Sequence, residues 1–181
     1  HSMALTTDGR LLTWGWGQSG RLGLGDDTSN RLVPTLVPDL EGVTDIAAGF
    51  GAVVGEAGHV YAWGRGYGGR LGLGDRNNRN VPTRVPALDG IVAVDAGGGF
   101  SVALGADGLL RTWGMNNCGQ LGLGDHGPGT HRMVPTLVEG LNEVVDVACG
   151  AGHMLAVCMD GDVWSWGNGQ HGQLGHGHTH N

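Results

Sequence analysis

The sequence is short of charge, short of cysteine and free of long apolar runs. Lys, Arg, Asp and Glu together supply 15% of the residues, below the quarter or so that is typical. Basic residues are the scarcer: ten stand against seventeen acidic ones, for a formal charge of −7. Nucleic-acid binding depends on Lys and Arg neutralising phosphates, so this balance argues against DNA or RNA as the partner. No apolar run approaches the roughly eighteen residues of a membrane helix, so no membrane span is expected. A chain that opens at His1 carries no evident signal peptide. Cys118, Cys149 and Cys158 are odd in number and lack C-x-x-C spacing, which indicates neither a disulfide framework nor a zinc site. Reduced thiols in an intracellular protein, cytoplasmic or nuclear, are the expectation.

What the chain has is glycine, at 38 of 181 positions, about three times the usual frequency. Such a content could mean disorder, but 40% of the residues are apolar and six are Trp. A chain like that buries surface, so a turn-rich all-β fold is the better reading.

The glycines are periodic. Four segments align without a gap: Trp14 to Asp26, Trp63 to Asp75, Trp113 to Asp125 and Trp166 to His178. Three of them end in Gly-(Arg or Gln)-Leu-Gly-Leu-Gly-Asp, and the fourth in Gly-Gln-Leu-Gly-His-Gly-His. The tryptophans are spaced by 49, 50 and 53 residues.

Each unit reads as four short antiparallel strands. A hairpin such as Ser2–Leu5 with Leu11–Trp14 turns at Asp8-Gly9, a pair that supplies positive φ. A Pro-led strand follows, and Pro34, Pro82 and Pro135 place it at the edge of its unit. No stretch has helical periodicity, so no helix is expected. Fifty-residue, four-stranded repeats predict the blades of a β-propeller. About 3.5 blades fit, in one arc over 1–181, with repeats near 1–42 (partial), 43–90, 91–142 and 143–181 (partial). Trp14, Trp63, Trp113 and Trp166 are the expected structural positions between stacked blades. The Leu-Gly-Leu-Gly stretch lets backbone pass close to a neighbour.

The phrase Trp-Gly…Gly-Gln-Leu-Gly-Leu-Gly-Asp, with His1-Ser2-Met3-Ala4-Leu5 and Ala47-Ala48-Gly49 around it, resembles the regulator of chromosome condensation repeat family. The resemblance covers essentially the whole chain. It implies seven-bladed propellers, mostly binding modules, whose founding member is a nucleotide exchange factor for a nuclear GTPase. This chain departs from the pattern in several places. The family's His falls at His1 and His153, but Phe50 and Phe100 replace it in the middle repeats. The family's UV-B photoreceptors place Trp just before that His, where this chain has Gly98-Gly99 and Ala151-Gly152, so light sensing is disfavoured. Seven blades would need about 350 residues at this period. A piece of a longer propeller is therefore the first expectation, self-association the second and a closed four-bladed ring the third. The strand phase, three then four, four and three, does not let two chains join into whole blades.

Chemistry finds little support. Gly15 to Gly20, Gly64 to Gly69 and Gly167 to Gly172 fit G-x-G-x-x-G, but the Leu-Gly-Leu-Gly-Asp that follows cannot sustain the helix a dinucleotide site needs, so no cofactor is expected. His176, His178 and His180 are the candidates for a metal. Their substitution for repeat residues fits a loose tail better, and no metal is expected. Asp26, Asp75 and Asp125 recur singly, as turn caps do. No catalytic set is present, and the chain is not expected to be an enzyme.

Function should lie where the repeats differ. Two and four residues beyond each Trp stand Trp16 and Gln18, Arg65 and Tyr67, Met115 and Asn117, Asn168 and Gln170. These loops should rise on one face, and Trp, Arg and Tyr dominate binding hot spots. Trp16, Arg65, Tyr67 and Met115 are the partner-binding candidates, although Trp16 and Tyr67 could equally pack over neighbouring blades. The expectation is a non-catalytic protein–protein interaction module. The alternative is a guanine-nucleotide exchange factor for a small GTPase, which rests on the resemblance alone.

Overall fold

The computed structural model describes residues 1–49 and 51–181. Among these described residues, fourteen strands make four antiparallel sheets. The first holds β1 (Ser2–Leu5), β2 (Leu11–Gly15) and β3 (Arg31–Leu36). The second holds β4 (Val43–Ala48), β5 (Gly51–Glu56), β6 (His59–Gly64) and β7 (Arg79–Arg84). The third holds β8 (Ile91–Ala96), β9 (Phe100–Gly105), β10 (Leu110–Gly114) and β11 (Arg132–Leu137). The last holds β12 (Val144–Cys149), β13 (His153–Cys158) and β14 (Val163–Gly167).

Within each sheet the strands run in sequence order, so every connection is a hairpin between neighbours. The first turn illustrates why. Gly9 sits at φ +78° and its N–H donates to the Thr6 carbonyl at 3.0 Å, closing the loop that pairs Leu5 with Leu11. The Pro-led β3, β7 and β11 all lie at a sheet edge, as a residue without a donor requires.

The core lies between sheets rather than within one. Leu11, Val37 and Leu40 pack against Val43 and Trp63 of the next sheet. Val60, Ala62, Leu71 and Val85 pack against Trp113, and Leu110, Leu121 and Val138 pack against Met154 with Trp166 beside them. Trp63 and Trp113 are fully buried. Trp14, which no earlier sheet covers, and Trp166 are half-buried.

Each of the later tryptophans is fixed to the preceding loop phrase. Trp63 donates its indole N–H to the Arg21 carbonyl at 3.2 Å, Trp113 to Arg70 at 2.9 Å and Trp166 to Gln120 at 3.2 Å. Glycine makes this approach possible. A Cβ built on Gly72 would stand 2.8 Å from the Trp113 ring nitrogen. The residue before the Trp adds a second tie, since Thr13, Thr112 and Ser165 donate to the carbonyls of Leu22, Leu121 and Leu174, each at 2.7 Å.

Successive sheets are also joined strand to strand along one edge. Asp45 on β4 accepts from the Val94 N–H of β8 at 2.8 Å, and Asp95 on β8 accepts from the Cys149 N–H of β12 at 2.6 Å. A carboxylate on a backbone N–H is among the stronger hydrogen bonds.

Three expectations are corrected. Single turns of 3-10 helix occur at Gln18–Gly20 and Tyr67–Gly69, too short for any periodicity to reveal. At the first turn the carboxylate is supplied by Asp27, not Asp26: it accepts from Ser29 N–H at 3.0 Å and pairs with Arg31 at 2.8 Å. The C-terminal tail is held rather than loose, because Asn181 Oδ1 accepts from Gly169 N–H at 2.9 Å. Asn30 and Asn78 close the earlier phrases in the same way on Gly17 and Gly66. Phe100 fills its site in the core at 1% exposure, while Phe50 lies outside the described residues.

Candidate functional site

The loops beyond Trp14, Trp63 and Trp113 converge where β4, β8 and β12 end. Trp16 and Tyr67 stand out from them, 51% and 56% exposed, and Arg65 is exposed beside them. Met115 is half-buried and lies under Arg70, whose Nη2 is 3.5 Å from its sulfur. Three of the four candidate residues therefore present themselves to solvent, and the fourth supports an arginine.

Two arginines from the repeat phrase reinforce the face. The Arg21 guanidinium lies 3.9 Å from the Trp16 ring centroid. Tyr67 receives Arg65 at 5.4 Å and Arg70 at 5.9 Å. Both distances are within cation–π range. Arg70 is further placed by donating to the Tyr67 carbonyl at 2.7 Å and to Gly98 at 3.5 Å. Burial first, and then the neighbouring charge of Arg65, lowers the pKa of Arg21 and Arg70 from the ordinary guanidinium value.

Beneath this face opens a pocket of about 470 Å³ whose walls include Trp16, Arg21, Gly97, Cys149 and the glycine-alanine ends of the inner strands. Partial burial and the adjacent Asp95 carboxylate push the Cys149 thiol above its ordinary value. Arg21 and Arg70 were not among the residues singled out from sequence, because the repeat phrase accounts for them as scaffold. The signal was nonetheless present: the same position is Gln120 and Gln173 in the later repeats, so the fold does not require a cation there.

The histidine candidates lie elsewhere, on the tail. His176 and His178 rings meet edge to face at 5.7 Å, and His178 and His180 at 5.0 Å. Ser165 Oγ is 2.8 Å from His176 Nε2. Among the described residues no group of three His, Cys, Asp or Glu side chains is arranged to hold a metal ion. No helix is long and apolar enough to cross a membrane among the described residues.

Known proteins share this architecture. The regulator of chromosome condensation (RCC1) repeat matches residues 8–54, 57–104 and 107–157. The human E3 ubiquitin-protein ligase HERC2 is 40% identical over 99% of the chain, which spans 4% of that protein. The ultraviolet-B receptor UVR8 of Arabidopsis thaliana is 38% identical over 99% of the chain, which spans 42% of it. Human WBSCR16 superposes with a TM-score of 0.84 at 25% identity, over 99% of this chain and 48% of that one. Prp20p of Saccharomyces cerevisiae does so with a TM-score of 0.79 at 27% identity, over 92% of this chain and 41% of that one. The chain thus spans less than half the length of each of these relatives. With three successive repeat matches and four stacked sheets of the same kind, the chain belongs to the regulator of chromosome condensation repeat family.

Proposed function

We propose that the chain is a non-catalytic protein-interaction module whose contact surface is the loop face carrying Trp16, Arg65, Tyr67 and Met115. Exposure supports this most directly. Trp16 and Tyr67 are 51% and 56% exposed, although the same repeat buries Trp63 and Trp113 completely. Large aromatics on turns pinned by glycine and asparagine lose little entropy when a partner covers them. Among the described residues, neither ring belongs to the hydrophobic clusters packed between the sheets.

The relatives fit this reading without fixing its details. They include a ubiquitin ligase, an ultraviolet-B receptor and a yeast RCC1 (Prp20) solved with Kap60 bound. The chain spans a part of each, so their activities stay with those proteins. Guanine-nucleotide exchange is the competing reading. It would show as faster release of fluorescent GDP from a small GTPase when the chain is added.

Peptide display selected on the wild-type chain, then on the Trp16→Ala/Tyr67→Ala variant, tests the interaction reading. Peptides enriched by the wild type and lost on the variant are expected. Identical enrichment on both proteins, or none on either, ends this assignment.

A further inference from the structure

The ten basic residues are all arginines. Six of them, Arg10, Arg31, Arg79, Arg84, Arg111 and Arg132, each pair with an aspartate. Arg21 does not. Only 5% of it is exposed. Among the described residues its guanidinium has neither an ion pair nor a hydrogen-bond acceptor, and its Nε is buried with none. A buried donor left unmade is costly, more so for a charged group.

Comparison of equivalent positions explains why it is unsatisfied. Arg70 occupies the same place one repeat later, where its Nε finds the Tyr67 carbonyl and its Nη2 lies against the Met115 sulfur. The residue that corresponds to Met115 beside Arg21 is Arg65, a second cation whose charge acts on Arg21. In the later repeats Gln120 and Gln173 satisfy the position locally, by accepting from the Cys118 and His171 N–H groups at 2.9 and 2.8 Å.

Arg21 lines the 470 Å³ pocket, and no Asp or Glu is among the described residues of its walls. His1, on the same wall, also has a buried nitrogen, Nε2, without a partner among the described residues. A pocket walled by a guanidinium that Trp16 stacks on and no carboxylate pairs is complementary to an anion. A carboxylate matches the flat two-nitrogen edge of a guanidinium. A nucleic-acid strand needs a track of several cations along its phosphates, whereas Arg21 is the one arginine among the described residues of the pocket wall.

We infer that this pocket receives an aspartate or glutamate side chain from a partner's acidic segment. The carboxylate sits on Arg21, with the Trp16 ring behind it. This rests on the interaction-face reading and names the chemistry of the partner.

Fluorescence anisotropy at low ionic strength tests it with three labelled probes: a peptide of alternating glutamate and glycine, its glutamine-glycine counterpart, and an oligothymidylate of the same charge as the first. Arg21→Gln is the informative variant, since the fold already accepts glutamine at that position. Arg10→Gln removes the same charge from the opposite end of β2. The glutamate peptide should bind at least tenfold more tightly than the other two. Arg21→Gln should weaken it about tenfold, the worth of one charged hydrogen bond, while Arg10→Gln leaves it unchanged. Equal binding of the glutamate and glutamine peptides, equal effects of the two variants, or tighter binding of the oligonucleotide overturns the inference. Display selection separates the two readings. Enriched Trp16-dependent peptides that lack acidic residues would keep the module and discard the anion pocket.

Discussion

The indole N–H of Trp63 donates to the backbone carbonyl of Arg21 at 3.2 Å, across 42 residues of sequence. One residue therefore serves two roles. Its backbone locks the first sheet to the second, and its side chain faces the pocket. The scaffold and the proposed recognition surface meet at Arg21, and each can be altered separately.

Trp63→Ala removes a fully buried ring and its hydrogen bond, and should cost about 3–5 kcal/mol. Trp16→Ala, on the exposed face, forfeits the stacking on Arg21 and should cost no more than about 1 kcal/mol. Urea denaturation of the two variants measures both. Similar losses would mean that Trp16 packs as scaffold, and would withdraw it from the contact surface.

Gly72 and Gly74 both adopt left-handed backbone, at φ +72° and +83°. Alanine at either position pays about 1–2 kcal/mol of strain. Only at Gly72 would the new Cβ meet the Trp113 ring, whereas Gly74 has nothing within 4 Å. Gly72→Ala should therefore be the more destabilising by at least about 1 kcal/mol, again by denaturant midpoint. Equal costs would mean that the glycine serves backbone conformation and not the seating of the tryptophan.

The fold was legible because its determinants repeat. Asp-Gly turns, Pro-led edges and the Trp phrase each recur at the same place, so a fifty-residue period exposes them together. Other features were hidden for physical reasons. The ties of Asp45 to Val94 and of Asp95 to Cys149 join sheets about fifty residues apart, and a carboxylate in a strand carries no mark of what it reaches. The tail was misread because His176 and His178 break the phrase, whereas Asn181 restores the capping bond that Asn30 and Asn78 make. Of the proposed site, Trp16, Arg65, Tyr67 and Met115 were visible as differences between repeats. Arg21 was hidden by its likeness to Arg70, although Gln18 and Arg65 stand near it where Tyr67 and Met115 stand near Arg70.

Cys149 gives the chain a dependence on alkaline pH. Partial burial and Asp95 raise its thiol above the ordinary value of 9.0, so the folded state keeps a proton that the unfolded state releases. Stability from this group is then present below about pH 9 and declines as pH rises through and beyond that value. Cys149→Ala should flatten the decline between about pH 9 and 10 in urea midpoints. The native thiol should also react slowly with iodoacetamide at pH 8, because the thiolate is the nucleophile. Fast alkylation, or an unchanged slope in the variant, would contradict this account.

Arg21→Gln should leave the fold at least as stable as the wild type. The substitution removes a charged group that is 5% exposed and lacks an acceptor, a burden of about 1–3 kcal/mol. It also forfeits the stacking on Trp16, worth about 0.5–1 kcal/mol. The backbone carbonyl that Trp63 needs is kept, and Gln120 is already accommodated at the matching position with its Oε1 on the Cys118 N–H. A net gain of about 1 kcal/mol in urea denaturation is expected. A loss of that size would show the guanidinium to be part of the scaffold, its cost already met by the protein, with no need of an anion to meet it.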